Sequence, residues 1–288
     1  MANFNKLINL TFKTKSGIAF CINTPAKGVK PQIEISGNLT MEGFTHNFEV
    51  RITNYYSDSI DTDLENATYI VVSAGYEGKM SAGIYGAVQN VYTESPGPDK
   101  VTVLSCVSAN YDAWISKTVD LKLAENFSLQ DAVSAVTDAL GYDPAIIDSS
   151  IAAKKCAAPL NHNGRCTEAI TKIKGAFPGV SIITDGKKLR VFPTEAKQRS
   201  VVVHELGLLT QAPQYSGGTV NLVAPWEPMV KPGDYVHFPT NYKRTSLGAI
   251  VSDTAMVNTI QFHFATNTDE NEMTITGTTT AKLKEDTN

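Results

Sequence analysis

The chain has 288 residues, with 42% hydrophobic and 19% charged residues, a net charge of −4 and a pI near 5.8. That length fits one large domain or two to three small ones, and the apolar share excludes disorder as the main state. The whole-chain charge does not mark a nucleic-acid binder.

The first 115 residues read as β structure. Period-two or β-branched runs recur at Leu7–Thr14, Ile18–Asn23, Gln32–Thr40, Asn47–Asn54, Thr68–Ala74, Gly83–Thr93 and Val101–Val107. Turn signals such as Thr24-Pro25 and Ser95-Pro96-Gly97-Pro98-Asp99 separate them. In Phe48-Glu49-Val50-Arg51-Ile52 the apolar residues share one face, so this strand covers a core on one side. The period then changes. Ser128 and Asp131 form a capping-box-like start, and Leu129, Val133, Val136 and Leu140 fall on one helical face. Gly141 suits the C-terminal turn and Pro144 prevents continuation. A second helix is expected near Arg165–Ala176, with Ala169, Ile170, Ile173 and Ala176 on one side. Asp185-Gly186 between Val180–Thr184 and Lys188–Phe192 signals a hairpin. The β pattern returns at Val201–Leu206, Thr219–Ala224, Asp234–Phe238, Leu247–Val257, Thr259–Thr266 and Glu272–Thr278. Residues Lys282–Asn288 read as a frayed polar tail.

Charge follows the same division. Residues 151–200 hold ten Lys and Arg against three acids, a surplus of seven positive charges, so the rest carries −11. The N-terminus lacks the apolar run of a signal peptide, and no stretch reaches the length of a membrane span. The chain is thus expected to be synthesised as a soluble cytoplasmic protein, and its N-x-[ST] triplets at Asn9, Asn38, Asn66 and Asn126 read as chance matches. Cys21, Cys106, Cys156 and Cys166 match no zinc spacing and read as buried reduced thiols.

Motifs for catalysis are thin. There is no G-x-S-x-G, P-loop, H-E-x-x-H or EF-hand loop. Gly83-Ile84-Tyr85-Gly86 lies within a strand pattern and is no nucleotide fingerprint. His204-Glu205 resembles half of a metal or acid–base site, but reads more simply as alternate faces of one strand. Asp58, Asp61, Asp63 and Glu65 could attract Ca²⁺ but lack its loop spacing, so a solvated loop is expected. Trp114 and Trp226 read as core or domain-junction anchors. No cofactor, metal ligand or catalytic residue is assigned.

Two segments carry a resemblance. Tyr69–Cys106 runs from a strand into Ala74-Gly75-Tyr76-Glu77-Gly78, then through Ile84-Tyr85-Gly86 to Val101–Cys106. Leu206–Asp234 holds Gly207-Leu208-Leu209, Pro213, a strand ending at Pro225, and Lys231-Pro232-Gly233-Asp234. With the helix Leu129–Leu140 and the Asp185-Gly186 hairpin between them, the ordered set resembles the central baseplate hub proteins of contractile-tailed phages and related contractile injection systems, the late-control-protein-D-like group. The resemblance spans about Phe44–Gly277; the first forty residues match nothing in it, and the extra wall-degrading modules of many hubs have no counterpart here.

The resemblance implies a β-rich α+β fold: two tube-like antiparallel β-barrel domains flanking an α+β middle domain. The expected boundaries are 1–115 for the first barrel, 116–198 for the middle, 199–280 for the second barrel and 281–288 for the flexible tail. It implies a homotrimer whose pseudo-six-fold ring joins the tail tube to the central spike, with tape-measure and baseplate wedge proteins as further partners. The expected place is the virion tail baseplate, after assembly in the host cytoplasm. Gly75, Tyr76, Gly78, Gly86, Gly207, Leu208, Leu209, Pro213, Pro232 and Gly233 would serve structure and interfaces. The Gly75–Gly78 stretch would be a turn, and the loop from Gly207 to Pro213 would pack apolar side chains against the middle domain. Lys154, Lys155, Lys172, Lys174, Lys187, Lys188 and Arg190 would offer a basic surface to an acidic spike or wedge partner. DNA would pass through a neutral to acidic lumen lined by the β blocks, without specific binding. The competing readings are a tail-associated cell-wall hydrolase and a carbohydrate-binding tail-tip adhesion module.

Overall fold

The computed structural model describes residues 5–24, 31–41, 46–55, 58–81, 83–108, 116–185, 187–194, 203–239, 253–269 and 271–279. In chain order its elements begin with β1 (Lys6–Thr14), β2 (Ala19–Asn23), β3 (Gln32–Thr40), β4 (Asn47–Thr53), α1 (Asp58–Glu65), β5 (Ala67–Tyr76), β6 (Lys79–Met80), β7 (Ile84–Glu94) and β8 (Val101–Ser108). The middle holds β9 (Thr118–Leu123), β10 (Phe127–Ser128), α2 (Leu129–Leu140), β11 (Ile146–Ile147), β12 (Lys155–Cys156), β13 (Leu160–Arg165), α3 (Cys166–Ala176), β14 (Val180–Asp185) and β15 (Lys188–Pro193). The chain closes with β16 (Val203–Glu205), β17 (Gln214–Ser216), β18 (Thr219–Pro225), β19 (Tyr235–His237), β20 (Thr254–Ala265) and β21 (Glu272–Thr279).

The chain forms two compact units. One is 1–108 together with 202–288; the other is 109–201. The two outer β blocks therefore share the first unit. The reason lies in one ladder. β20 pairs antiparallel with β3, from Thr259 against Thr40 to Ala265 against Glu34, and so joins the blocks edge to edge. The resulting 14-stranded sheet runs β17-β18-β21-β20-β3-β4-β8-β7-β5-β1-β2, with β6, β16 and β19 branching from it. Alternation then builds the core. In β4, Phe48, Val50 and Ile52 are buried while their neighbours are not. Side chains from both blocks meet in one cluster that includes Ile35, Val50, Val72, Leu222, Ile260 and Phe264.

Several expectations are corrected. The acidic run Asp58–Glu65 is the helix α1, not a loop, with Leu64 fully buried on it. The two strands expected around Val257 are one, β20, in which a bulge between Val257 and Thr259 resets the register with β21. A bulge lets a strand continue past an irregularity that reads as a break in the pattern. Residues 247–252, 195–200 and the expected tail 281–288 lie outside the described residues. The first strands, unplaced from sequence, pair as β2 with β1 and β1 with β5.

The middle unit packs α2 and α3 with three small sheets. α2 begins in a full capping box: the Ser128 hydroxyl accepts from the Asp131 N–H, and the Ser128 N–H donates to the Asp131 carboxylate, both at 3.1 Å. That bonding holds the Asp131 carboxyl below its usual range. Gly141 closes the helix at φ 69°, where a Cβ would be strained. Leu129, Val133, Val136 and Leu140 are all buried, each stabilising by about 1.5–3 kcal/mol. α3 buries Cys166, Ala169, Ile170 and Ile173. β14 and β15 form the hairpin, closing Asp185 onto Lys188. β11 adds to it in parallel, and β9 pairs with β13. Phe127 meets Phe177 edge to face at 5.6 Å within this core.

The thiols divide. Cys106 and Cys166 are buried, but Cys21 is exposed and Cys156 half-buried, which corrects the expectation for those two. All four are free, and burial pushes the Cys106 thiol up to about 12. No helix among the described residues is long and apolar enough to cross a membrane.

Candidate functional site

The two segments that carried the resemblance converge in the β unit. β5 enters a tight hairpin through Glu77 and Gly78 and returns as β6, pairing Gly75 with Met80. A Cβ on Gly75 would stand 2.3 Å from the Lys79 carbonyl oxygen, so only glycine permits this approach. Gly78 takes φ +83° in the turn. The hairpin's Tyr76 meets Phe264 edge to face at 5.6 Å. Burial raises the Tyr76 phenol, and the charge of Glu227 adds to it. Leu206, Gly207 and Leu208 follow β16, and Trp226 and Glu227 follow β18. Together these pieces line one cavity of about 500 Å³. Tyr76, Gly207 and Leu208 were each singled out from sequence; Trp226 was read only as an anchor, and Glu227 carried no signal. Trp226 is an anchor as well, with its ring 5.0 Å from Phe262 and 6.0 Å from Phe264. Trp114 lies outside the described residues.

The leucines at the loop from Gly207 to Pro213 divide. Leu206 and Leu209 pack in the β unit's own core, while Leu208 is 61% exposed. The core claims two of the three leucines, Leu206 and Leu209, which stand three positions apart in a segment with no regular strand. Gly207 has open space where a Cβ would stand, and Pro213 is half-buried before β17. Gly86 packs its backbone on the Phe48 ring, where a Cβ would come within 2.4 Å. Pro232 is buried, and Gly233, at φ +87°, donates its N–H to the Val257 carbonyl at 2.8 Å.

Beside the cavity, β16 and β19 run parallel and set Glu205 opposite His237. His204 and Glu205 serve different partners. His204 Nε2 lies 3.0 Å from an Asp234 oxygen. His237 sits between carboxylates, with Nδ1 2.6 Å from Glu205 and Nε2 3.3 Å from Asp253. The hydrogen bond to Glu205, aided by Asp253, raises the His237 pKa. These His–carboxylate contacts pin a three-residue strand to its neighbour. Among the described residues, no group of three or more His, Cys, Asp or Glu is placed to hold a metal ion.

The basic residues are distributed over the middle unit. Lys154 and Lys155 are exposed at β12, Lys172 and Lys174 on α3, and Lys187 and Lys188 at the hairpin. Arg190 lies 5.9 Å over the Phe192 ring. Lys172 shares a cleft of about 500 Å³ with Asp120, Lys122 and Glu168, so that face is of mixed charge.

The sequence matches no family model and no curated protein. Solved structures do match. The 43 kDa tail protein of prophage MuSo2 from Shewanella oneidensis aligns at a TM-score of 0.60 and 10% identity, covering 93% of this chain and 96% of that one. The tail protein from Neisseria meningitidis MC58 aligns at 0.58 and 10% identity, covering 96% and 97%. An E. coli type VI secretion component, described as structurally similar to the bacteriophage T4 tail proteins gp27 and gp5, aligns at 0.55 and 7% identity, covering 89% and 76%. Across nearly its full length, this chain has a β-rich fold that it shares with phage tail proteins and a type VI secretion component.

Proposed function

We propose that this chain is a structural hub of a phage tail or related contractile injection machine. Three copies form a ring of six tube-like units, two from each chain, and join the tail tube to the central spike. The observation that carries this reading is the single sheet in which β3 and β20 join the two β blocks edge to edge, within a fold shared with tail proteins. A ring needs units that repeat side by side with matched interfaces, and a sheet continuous across both blocks supplies two such units per chain. Its other neighbours in this reading are tape-measure and wedge proteins. The basic surplus of residues 151–200 is offered to an acidic partner, and the acidic remainder leaves DNA unbound as it passes. The chain itself performs no catalysis, and its place is the tail baseplate.

Light scattering of the chain alone and mixed with its spike protein tests the reading. A trimer in either sample, with rings in electron micrographs, is the expected result. A strict monomer at high concentration in both samples overturns it. Zymography on peptidoglycan separates the hydrolase reading: lysis that vanishes on changing Glu205 or His204 would replace the structural role with an enzymatic one.

A further inference from the structure

Two residues that line the cavity between the β5–β6 hairpin and the ends of β16 and β18 each hold a buried polar atom without a partner. Trp226 is only 5% exposed, and among the described residues its buried Nε1–H has no acceptor. The next residue, Glu227, accepts from Lys79 Nζ at 2.7 Å through Oε2, but its buried Oε1 has no donor. Buried tryptophan N–H groups and buried carboxylate oxygens normally find partners, because leaving them unmet forfeits their hydration without return. One atom gives a hydrogen and the other takes one, on consecutive residues. A peptide main chain offers the converse pair. Between them the lining is apolar, with Leu206, Leu208, Ala224 and Pro225. Leu208 adds a mostly exposed side chain at the same place. The rim is acidic: among the described lining residues, Glu77, Glu205 and Glu227 stand against one cation, Lys79. Among the described residues, Glu77 accepts from the neutral Asn5 amide at 3.1 Å, and Glu205 is paired with His237.

We propose that this cavity docks an extended peptide segment of a partner chain, one that presents a leucine-sized apolar side chain beside a Lys or Arg. The apolar side chain packs among Leu206, Leu208 and Pro225, the cation meets the acidic rim, and the peptide main chain supplies the acceptor and donor that Trp226 Nε1 and Glu227 Oε1 lack once those side chains turn toward it. The proposal stands whether or not the chain is a hub, since it rests on the cavity alone. The other possible occupant is a second copy of this chain.

The test uses the full chain with Trp114→Phe, which leaves Trp226 as the one remaining tryptophan of two. The probe is N-acetyl-Lys-Leu-Lys-amide, compared with the Lys-Gly-Lys and Glu-Leu-Glu analogues. The readout is the NMR resonance of the Trp226 indole N–H. A saturable shift with Lys-Leu-Lys is expected, with binding at least tenfold weaker for each analogue. Leu208→Asp, at an exposed position, should also weaken binding at least tenfold without changing the circular dichroism spectrum. Calorimetric titration of the unsubstituted chain reads the same order of affinities should Trp114→Phe fail to fold. No saturable response, or equal binding of the glycine peptide, overturns the proposal. So does a Leu208→Asp variant that turns an oligomer into monomers while the peptide has no effect, because the cavity is then the seat of a second copy.

Discussion

The β unit and the middle unit hold their folds by different means. In the middle unit, the decisive contacts of α2 lie within a few residues: Ser128 with Asp131, and Gly141 with Asp138. In the β unit the decisive ladder joins residues more than two hundred positions apart, Glu34 with Ala265 and Thr40 with Thr259. The difference teaches where each unit is vulnerable. A unit tied by distant pairings loses stability when its shared core is cut, because both blocks depend on the same side chains. A unit built from capped helices loses stability in smaller, local steps.

The largest expected break of that contrast is Phe264→Ala. Phe264 is fully buried and touches the rings of Tyr76 and Trp226, so one truncation strikes both blocks. A loss of about 3–5 kcal/mol is expected. Hydrogen exchange read by mass spectrometry should show faster exchange in β3–β5 and in β18–β21 alike. Faster exchange in only one block would mean that the two are separate cores.

Gly75→Ala should cost about 1–3 kcal/mol, since the new methyl meets backbone rather than a movable side chain. Urea denaturation followed by circular dichroism measures it. A neutral result would show that the β5–β6 hairpin moves freely.

Ser128→Ala removes one half of the capping box and should cost about 1 kcal/mol, felt in the exchange of α2 and not of the β sheet. An effect of Phe264→Ala size would mean that α2 supports the whole chain.

The smallest effect is in pH dependence, and it has opposite signs in the two units. The His237 pKa is raised in the folded state, so its contribution is present in full below the ordinary 6.5. It is lost as pH rises through the raised value. The Asp131 pKa is lowered, so its contribution is present above the ordinary 3.8 and is lost as pH falls through the lowered value. Protection factors, which divide out the intrinsic pH dependence of amide exchange, should therefore fall at β16 and β19 toward alkaline pH, and at the start of α2 toward acid. His237→Gln and Asp131→Asn should each flatten only the trend of their own unit. Both groups reach solvent, which screens these contributions.

How much could be read beforehand follows the same division. The helix Leu129–Leu140 was legible to its caps, because capping chemistry is local and leaves its signature in adjacent residues. The strands were legible as strands, but β20 was split in two, since a bulge at Val257–Thr259 breaks the alternation that a reader follows. Helix α1 was missed because its acidic residues obscure the core residue Leu64. In the candidate cavity, Tyr76, Gly207 and Leu208 could be picked out in advance. Glu227, whose value comes from Trp226 beside it and Lys79 from a distant hairpin, could not.

The amino-acid pattern alone determined that the ends are β and the middle is α+β, that the middle carries the positive surplus, and where α2 starts and stops. These properties depend on spacing, charge and neighbouring residues. Only the tertiary structure decided that the two β blocks form one unit, that Leu206 and Leu209 are buried while Leu208 is not, and that His237 stands between Glu205 and Asp253. Each of these depends on which strand edges pair, and period-two alternation is blind to that choice. It says which face of a strand is apolar, and any strand with such a face can satisfy it.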